Sequence, residues 1–461
     1  MVSTTVGLAV TFGALALFAV VGVWAAGRFA AGDRDRYLTA RGSQRGGSLA
    51  LNFFASALGA WILFAPPEVG TFGGFFGILG YALGQAAAIG VYAWLGPAMR
   101  ARMPRGSTIL EFVRGRFGRS AHVGIGGVSV FYMAIFLTAE LTAIGGVLGL
   151  LTGVDAWVPI AATAGITAAY VAYGGLPASL ATDRLQGWLI LVLVGIAIVA
   201  IGQEVPEVDR AIEAGGVWSL QDPGTFVWLV IAIVAANLFH QGFWQRAWAA
   251  RDDRALRRGA LGAAALIIPV IAALGAVGAA AAGAGRAEPP SLAFFNLLAG
   301  LPAPVLAVVV ALGVALVAST VDTLQNALAS LVAVDVAGGR LSLGAARWVT
   351  VALTIPAALV AVEGLSVLRL FLIADLLAAA VALPVFLGLW GRVTTAGAFA
   401  GAAAGILAVV GVGWIEGGTL LDGLRLLTLP PEASPLAPFL AAPLASGVVT
   451  VLASLARAEA R

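Results

Sequence analysis

The sequence contains no cysteine, and only 11% of its 461 residues are charged while 61% are hydrophobic. The absence of cysteine excludes disulfides and thiolate metal sites. Soluble domains carry about 25% charged residues, so a water-soluble protein of this composition could not cover its core. Lipid must cover much of its surface, and the composition predicts an all-α, multi-pass membrane protein.

The basic residues are all arginine, 26 in number, and they give a net charge of +3. They lie in short clusters between apolar segments, which is the pattern of the positive-inside rule. Nucleic-acid binding would instead need a basic patch or stripe. We therefore predict membrane lipid as the surroundings of this chain and no nucleic-acid partner.

Thirteen apolar segments are long enough to cross a bilayer, which takes about 20 residues per helix. With the N-terminus outside and the C-terminus inside, 22 arginines fall in cytoplasmic segments and three in outer loops, and the outer loop 204–224 is acidic. The predicted spans are 4–26, 47–70, 72–98, 120–151, 156–174, 180–203, 225–246, 258–284, 303–336, 344–363, 365–390, 393–415 and 436–456.

The spacing of polar groups suits an inverted repeat of five helices, spans 2–6 and spans 7–11. A single transporter domain over 1–461 then consists of helix 1 with a cytoplasmic loop (1–46), a first repeat (47–203), a second repeat (225–390) and helices 12 and 13 with a short tail (391–461). No segment between the spans is long enough for a catalytic domain. We expect no enzyme activity, no obligate protein partner, and a place in the cell's inner (plasma) membrane.

The second span carries the signs of a broken helix. Gly59 interrupts it, Pro66 and Pro67 follow, and polar Asn52 and Ser56 lie within it. Secondary transporters bind solutes where helices unwind near the middle of the membrane. The alternative is a continuous helix whose small residues pack against a neighbour.

The ninth span places Ser319, Thr320, Asp322 and Thr323 within two turns. Ser319, Asp322 and Thr323 share one face by their i, i+3, i+4 spacing. A small hard cation needs several oxygen ligands, and a carboxylate inside the membrane is a functional-site hypothesis by default. This pattern predicts a cation site, with hydrogen bonding between helices as the alternative.

The segment 173–186 reads Tyr-Gly-Gly-Leu-Pro-Ala-Ser-Leu-Ala-Thr-Asp-Arg-Leu-Gln. It resembles the signature of the sodium/solute symporter family, which contains sodium-coupled proline, galactose and sialic acid carriers. Trp244-Gln-Arg246 and Ala318-Ser-Thr320 are similar to two further patches of that family. The resemblance runs from span 1 to span 13. It implies a LeuT-type inverted repeat and sodium-coupled import of a small organic solute by alternating access.

The resemblance also implies the position of a sodium site. Carbonyls of Ala55 and Leu58, at the break of the second span, would bind the ion together with atoms of the ninth span. These are the carbonyl of Leu316 and the hydroxyls of Ser319 and Thr320.

Some members of the family hold a second sodium near the signature aspartate, which is Asp183 here. Asp322 and Thr323 would complete this second cation site, at positions where one such member has serines. Two departures from the family concern the solute. Ala57 replaces an aspartate of the proline carriers and Ile62 replaces a sugar-binding residue of the galactose carriers, so neither solute is supported.

The remaining polar groups inside the membrane are candidates for the solute pathway. The deep charges are mostly acidic, with Glu140, Asp322 and Asp375 against Arg369, which favours a solute that contains an amine. A packing role is the alternative for the tryptophan and the histidine of this set. The pathway candidates are Trp61, Gln85, Glu140 and His240.

Two other functions stay open at this stage. In a proton-coupled symporter of the same fold, Asp322, Glu140 or His240 would carry the proton. A symporter-like sensor or transceptor is another alternative, and a channel would differ by lacking saturable uphill transport. Sodium is the expected coupling ion, with the proton as its alternative.

Overall fold

The computed structural model describes residues 1–27, 34–204, 219–220, 222–338, 342–428 and 435–459. Most of the predicted acidic loop 204–224 therefore lies outside the described residues. The helices are α1 (Thr4–Gly27), α2 (Arg34–Thr39), α3 (Gly46–Ala57), α4 (Ala65–Gly90), α5 (Tyr92–Arg102), α6 (Ile109–Phe117), α7 (Arg119–Thr152), α8 (Trp157–Glu204), α9 (Gly224–Asn237), α10 (Gln241–Ala249), α11 (Asp253–Gly283), α12 (Ala293–Leu298), α13 (Ala303–Leu331), α14 (Leu343–Ala361), α15 (Val367–Phe386), α16 (Thr395–Gly417), α17 (Leu420–Thr428) and α18 (Leu436–Glu459).

The predicted all-α membrane architecture is confirmed. Ten helices of the described part are long and apolar enough to cross a membrane, and the bent pair α9 and α10 raises that number to eleven. The count of eleven is two lower than thirteen because α8 covers two predicted spans and because the 12 residues of α3 are too few to be counted. Arg369, expected inside a span, lies exposed in the first turn of α15.

Helix α8 reverses its direction at Gly175. Its 48 residues would extend about 72 Å as a straight helix, more than twice the hydrocarbon thickness of about 30 Å. Gly175 has φ 58° and ψ −150°, a conformation that favours glycine. Tyr170 and Thr182, on either side of it, both donate to the same oxygen of Asp322, at 2.6 and 3.0 Å. A straight helix would separate these two residues by about 18 Å.

Helix α4 turns in the same way at Gly74, which has φ 49° and ψ −144°. A Cβ atom on Gly77 would lie 3.0 Å from a methyl carbon of Val69, although eight residues of straight helix span about 12 Å. The chain therefore folds back close to the boundary expected between the second and third spans.

The break predicted in the second span is confirmed. Helix α3 ends at Ala57, Leu58 is extended with φ −116° and ψ 98°, and a 3-10 turn follows over Ala60–Leu63. The seventh span is broken as well, because α9 and α10 meet at 63°. Thus the first helix of each predicted repeat is interrupted.

The break between α9 and α10 was not anticipated, since no glycine or proline lies at residues 238–240. Side chains satisfy the carbonyls that it frees. The Tyr92 hydroxyl donates to the carbonyl of Asn237 at 2.8 Å, and the Trp244 indole donates to the carbonyl of Leu238 at 2.8 Å. Backbone polar groups inside a membrane need such internal partners.

The second half of helix α13 is enclosed by the bundle. Every residue from Leu312 to Leu331 is buried, and the helix packs against α1, α3, α7 and α8. The outer helices differ, because α1 exposes Trp24 and α18 exposes Leu452. Exposed apolar side chains on the outside and polar ones in the centre fit a protein surrounded by lipid.

Segments predicted to be cytoplasmic contact one another at one end of the bundle. The backbone around Gln44, before α3, pairs with Ala249 and Arg251, after α10. At the same end, Arg116 donates to the carbonyl of Gly388 at 2.9 Å. The chain start lies at the opposite end of α7, where the amide of Val2 donates to the carbonyl of Leu151.

Candidate functional site

The break of α3 meets the buried middle of α13. The last carbonyls of a helix have no partner within it, and the carbonyl of Ala55 accepts a hydrogen bond from the Ser319 hydroxyl at 2.9 Å. Ser319 also approaches the carbonyl of Leu316 at 2.9 Å, and Thr320 approaches that carbonyl at 3.3 Å. Leu58 follows as the C-cap of α3. The structure thus joins four of the five predicted sodium ligands by hydrogen bonds.

These oxygens are all neutral, three from carbonyls and two from hydroxyls, and their residues are fully buried. Hard cations prefer oxygen ligands, and a donor set without thiolate or imidazole does not suit zinc. The chemistry of the residues therefore fits a monovalent ion such as sodium.

One turn along α13, the second predicted cation site contains a guanidinium group. Arg246 of α10 donates to the carboxylate of Asp183 at 2.5 Å and to the hydroxyl of Thr323 at 2.8 Å. It also donates to the carbonyls of Asn52 and Gly242. The other Asp183 oxygen has no hydrogen-bond partner within the described residues. All of these side chains are buried, so this is an internal ion pair.

Asp322 completes this buried cluster. Hydroxyls of Tyr170, Ser179 and Thr182 donate to its two oxygens at 2.6, 2.7 and 3.0 Å. The reversal of α8 at Gly175 supplies all three donors. Asp183, Asp322 and Thr323 are therefore brought together as predicted.

Sequence reasoning did not identify Arg246 as the partner of Asp183, although it noted the Trp244-Gln-Arg246 motif. An arginine at the end of an apolar span is an available signal, because a buried guanidinium needs an acceptor. The two residues are 63 positions apart, so the sequence does not specify which carboxylate pairs with it.

Glu140, a predicted pathway residue, lies at the break instead. Its Oε2 accepts from the amide of Ala60 at 2.8 Å, where the 3-10 turn begins. A Cβ atom on Gly59 would lie 1.7 Å from Glu140 Oε1, so only glycine fits there. The carboxylate therefore binds the positive end of the second half of the broken helix.

His240 lies at the other break, as the N-cap of α10. Its ring stacks on Phe243 at 4.0 Å and meets the edge of Phe136 at 5.5 Å. Both ring nitrogens are buried, and neither has a hydrogen-bond partner within the described residues.

The other two pathway candidates, Trp61 and Gln85, line a cavity beside the break. Its volume is about 20 Å³, which is room for one group of about the size of a water molecule. The amide of Gln85 donates to the carbonyl of Ala57 at 3.2 Å, which ties the cavity to the end of α3. The lining residues are Trp61, Tyr81, Gln85, Tyr132, Phe136, Ile233, Asn237, Phe371 and Asp375.

Two broken helices around a buried polar centre and a small cavity define a multi-pass secondary transporter of the LeuT-like class. The family model of the sodium:solute symporter family matches residues 37–405. The chain belongs to this family, and it is a symporter of a small solute rather than an enzyme.

Three known proteins illustrate the similarity. The chain is 31% identical to the spermidine transporter DUR31 of Candida albicans, over 97% of this chain and 89% of the relative. A sodium-coupled sialic acid symporter in a substrate-bound outward-open state matches with a TM-score of 0.76 and 17% identity, over 98% of this chain and 97% of that one. Mhp1, a nucleobase-cation-symport-1 family transporter, matches with a TM-score of 0.60 and 16% identity, over 93% and 97%.

Proposed function

We propose that this chain is a sodium-coupled symporter that imports an organic amine by alternating access. The carrying observation is the pair of hydrogen bonds from the Ser319 hydroxyl to the carbonyls of Ala55 and Leu316. A cation between these segments would join the broken helix to the centre of the bundle. Leu58 and Thr320 complete its five oxygen ligands.

The amine is supported by two independent observations. The buried charged side chains of the described residues are mostly acidic, with Glu68, Glu140, Asp183, Asp322, Asp335 and Asp375 against Arg246. In addition, the relative from Candida albicans is named a spermidine transporter.

We propose one sodium ion per transport cycle. In the second site, Arg246 supplies a fixed positive charge beside Asp183, Asp322 and Thr323. A mobile cation that used the remaining oxygen of Asp183 would lie next to the guanidinium. That arrangement favours a permanent ion pair.

One sodium ion provides enough energy for such a cycle. A charge that crosses 100 mV releases about 2.3 kcal/mol, and a tenfold gradient adds about 1.4 kcal/mol. Together they drive accumulation of a neutral solute by a factor of several hundred. A cationic amine is also driven by the membrane potential itself.

The finer topology is also part of this proposal. If α8 is divided at Gly175 and α4 at Gly74, the helices give thirteen spans, with inverted repeats over 47–203 and 225–390. The arginine distribution supports an outer N-terminus, an inner C-terminus and insertion in the plasma membrane.

Uptake into proteoliposomes tests the coupling ion. Radiolabelled spermidine should accumulate when sodium is higher outside, and replacement of sodium by potassium or choline should reduce uptake to the leak. A protonophore should leave sodium-driven uptake intact. Uptake that is equal with and without sodium would contradict the proposal.

Proton coupling is the second candidate, because the buried carboxylate of Asp322 has, among the described residues, no cationic partner of its own in hydrogen-bond contact. It would be selected by uptake that persists without sodium and stops when a protonophore is added.

A further inference from the structure

The cavity beside the helix break contains a carboxylate with no partner. Asp375 lies on α15, is 8% exposed, and accepts no hydrogen bond within the described residues. Two tyrosines, Tyr81 and Tyr132, line the same cavity. A buried anion without a counterion is costly, so a cationic group is the natural occupant of the space in front of it.

Other polar atoms of the cavity are also unsatisfied, and they suit a hydrogen-bond donor. The Asn237 side-chain oxygen and the Tyr132 hydroxyl have no partner within the described residues. The amide nitrogen of Asn237 donates to the carbonyl of Ile233 at 2.7 Å, which fixes the oxygen as the free atom. An ammonium group offers up to three N–H donors, enough for Asp375, Asn237 and Tyr132 together.

Aromatic rings form the remaining walls. Trp61 stacks on Tyr81 at 5.6 Å and meets the edge of Phe371 at 5.7 Å, and Phe371 packs on Phe136 at 4.8 Å. Aromatic faces attract organic cations, by about 2 kcal/mol or more when the site is desolvated. They also pack well against the methylene groups of an aliphatic amine.

A solute carboxylate would find no cationic side chain among the described residues that line this cavity. In LeuT-type carriers, the positive end of a half-helix receives the anionic group of the solute. Here Glu140 already accepts from the amide of Ala60 at that end. The lining of the cavity contains Asp375 and no basic residue within the described part of the chain.

We propose that this cavity binds the ammonium group of a solute that carries no carboxylate, with Asp375 as its counterion. Glu140 occupies the half-helix end at which the carboxylate of an amino acid would otherwise bind. This assignment rests on the proposed symport function and specifies its solute as an aliphatic mono- or polyamine rather than an amino acid.

Competition against radiolabelled spermidine tests which chemical groups of a solute the cavity accepts. It is measured on the purified chain in nanodiscs with sodium present. Butylamine and putrescine should displace the label. 4-Aminobutyrate has the same ammonium group and a similar chain but ends in a carboxylate, and it should compete at least about tenfold more weakly. Equal competition by 4-aminobutyrate and butylamine would overturn the exclusion of carboxylates, with no mutation involved.

Substitution tests the counterion. Asp375→Asn should weaken spermidine binding by about thirtyfold or more, because breaking a buried charge pair costs at least about 2 kcal/mol. Asp375→Glu keeps the charge and should retain more affinity. Glu363→Gln, an exposed carboxylate on the loop before α15, is the matched control and should bind as the wild type does.

The failures of the two proposals are distinguishable. If Asp375→Asn binds spermidine as tightly as the wild type, Asp375 is not the counterion, although sodium coupling stands. If the wild type binds none of the amines but a neutral solute accumulates with sodium, the amine site is wrong and the symport proposal survives. If sodium affects no solute, the symport proposal itself fails. A sodium-dependent rise in melting temperature verifies the fold of each variant.

Discussion

Ser319 and Thr320, and then Asp322 and Thr323 about one turn further along α13, are equally buried, yet the two pairs differ in the charge of their surroundings. Ser319 donates to the carbonyl of Ala55 at the α3 break, Thr320 donates to the carbonyl of Leu316, and both contribute only neutral oxygens. The second pair lies in a cluster of two carboxylates and the Arg246 guanidinium. Neutral oxygens bind and release an ion at little cost, whereas an internal ion pair is permanent because separating it would bury an uncompensated charge.

The largest loss of stability is expected when the buried positive charge of Arg246 is removed. Arg246→Gln leaves Asp183 buried without a counterion and should lower the free energy of unfolding by about 3–5 kcal/mol. Thermal denaturation in detergent, followed by size-exclusion chromatography, measures it. The exposed Arg254 provides the control in Arg254→Gln. The double variant Asp183→Asn/Arg246→Gln should recover part of the loss, and a single variant as stable as the control would contradict the comparison.

Asp322→Asn should have an intermediate effect. The three hydroxyls of Tyr170, Ser179 and Thr182 lose an anionic acceptor, and hydrogen bonds to charged groups contribute about 1.5–3 kcal/mol. We expect a lower melting temperature with sodium dependence of uptake retained. Loss of all ion-driven uptake in a folded Asp322→Asn protein would instead favour the proton-coupled alternative.

The smallest effect on stability, and the clearest on function, is expected at the neutral site. Ser319→Ala and Thr320→Ala each remove one oxygen ligand and about 0.5–1.5 kcal/mol of interaction. The sodium concentration for half-maximal uptake should rise about twofold to tenfold. Ser446→Ala, which removes a buried hydroxyl bonded within α18, should leave it unchanged. An identical sodium response in all three variants would refute the ligand assignment.

The sequence predicts the features that depend on local chemistry. Gly59 with the prolines that follow it indicates the break of α3. The i, i+3, i+4 spacing of Ser319, Asp322 and Thr323 indicates a polar face on α13. The family signature adds the relation between those two segments, which no local pattern contains.

The remaining features arise from contacts between distant segments. The bend between α9 and α10 is stabilised by Tyr92, which lies 145 positions before the carbonyl that it binds. The donors to Asp322 meet only because α8 reverses at Gly175. The cavity around Asp375 takes its walls from several helices, so the sequence identifies a deep acid there but not its aromatic surroundings.

The backbone pairing that joins the segment before α3 to the segment after α10 has a consequence for motion. Three backbone hydrogen bonds join the two broken helices at the predicted inner side. The amides of Gly42, Gln44 and Arg251 donate to the carbonyls of Trp248, Ala249 and Gln44, respectively. Separation of these two segments during transport therefore needs rupture of the three bonds, at about 0.5–1.5 kcal/mol per bond, whereas a movement of both half-helices together leaves the bonds intact.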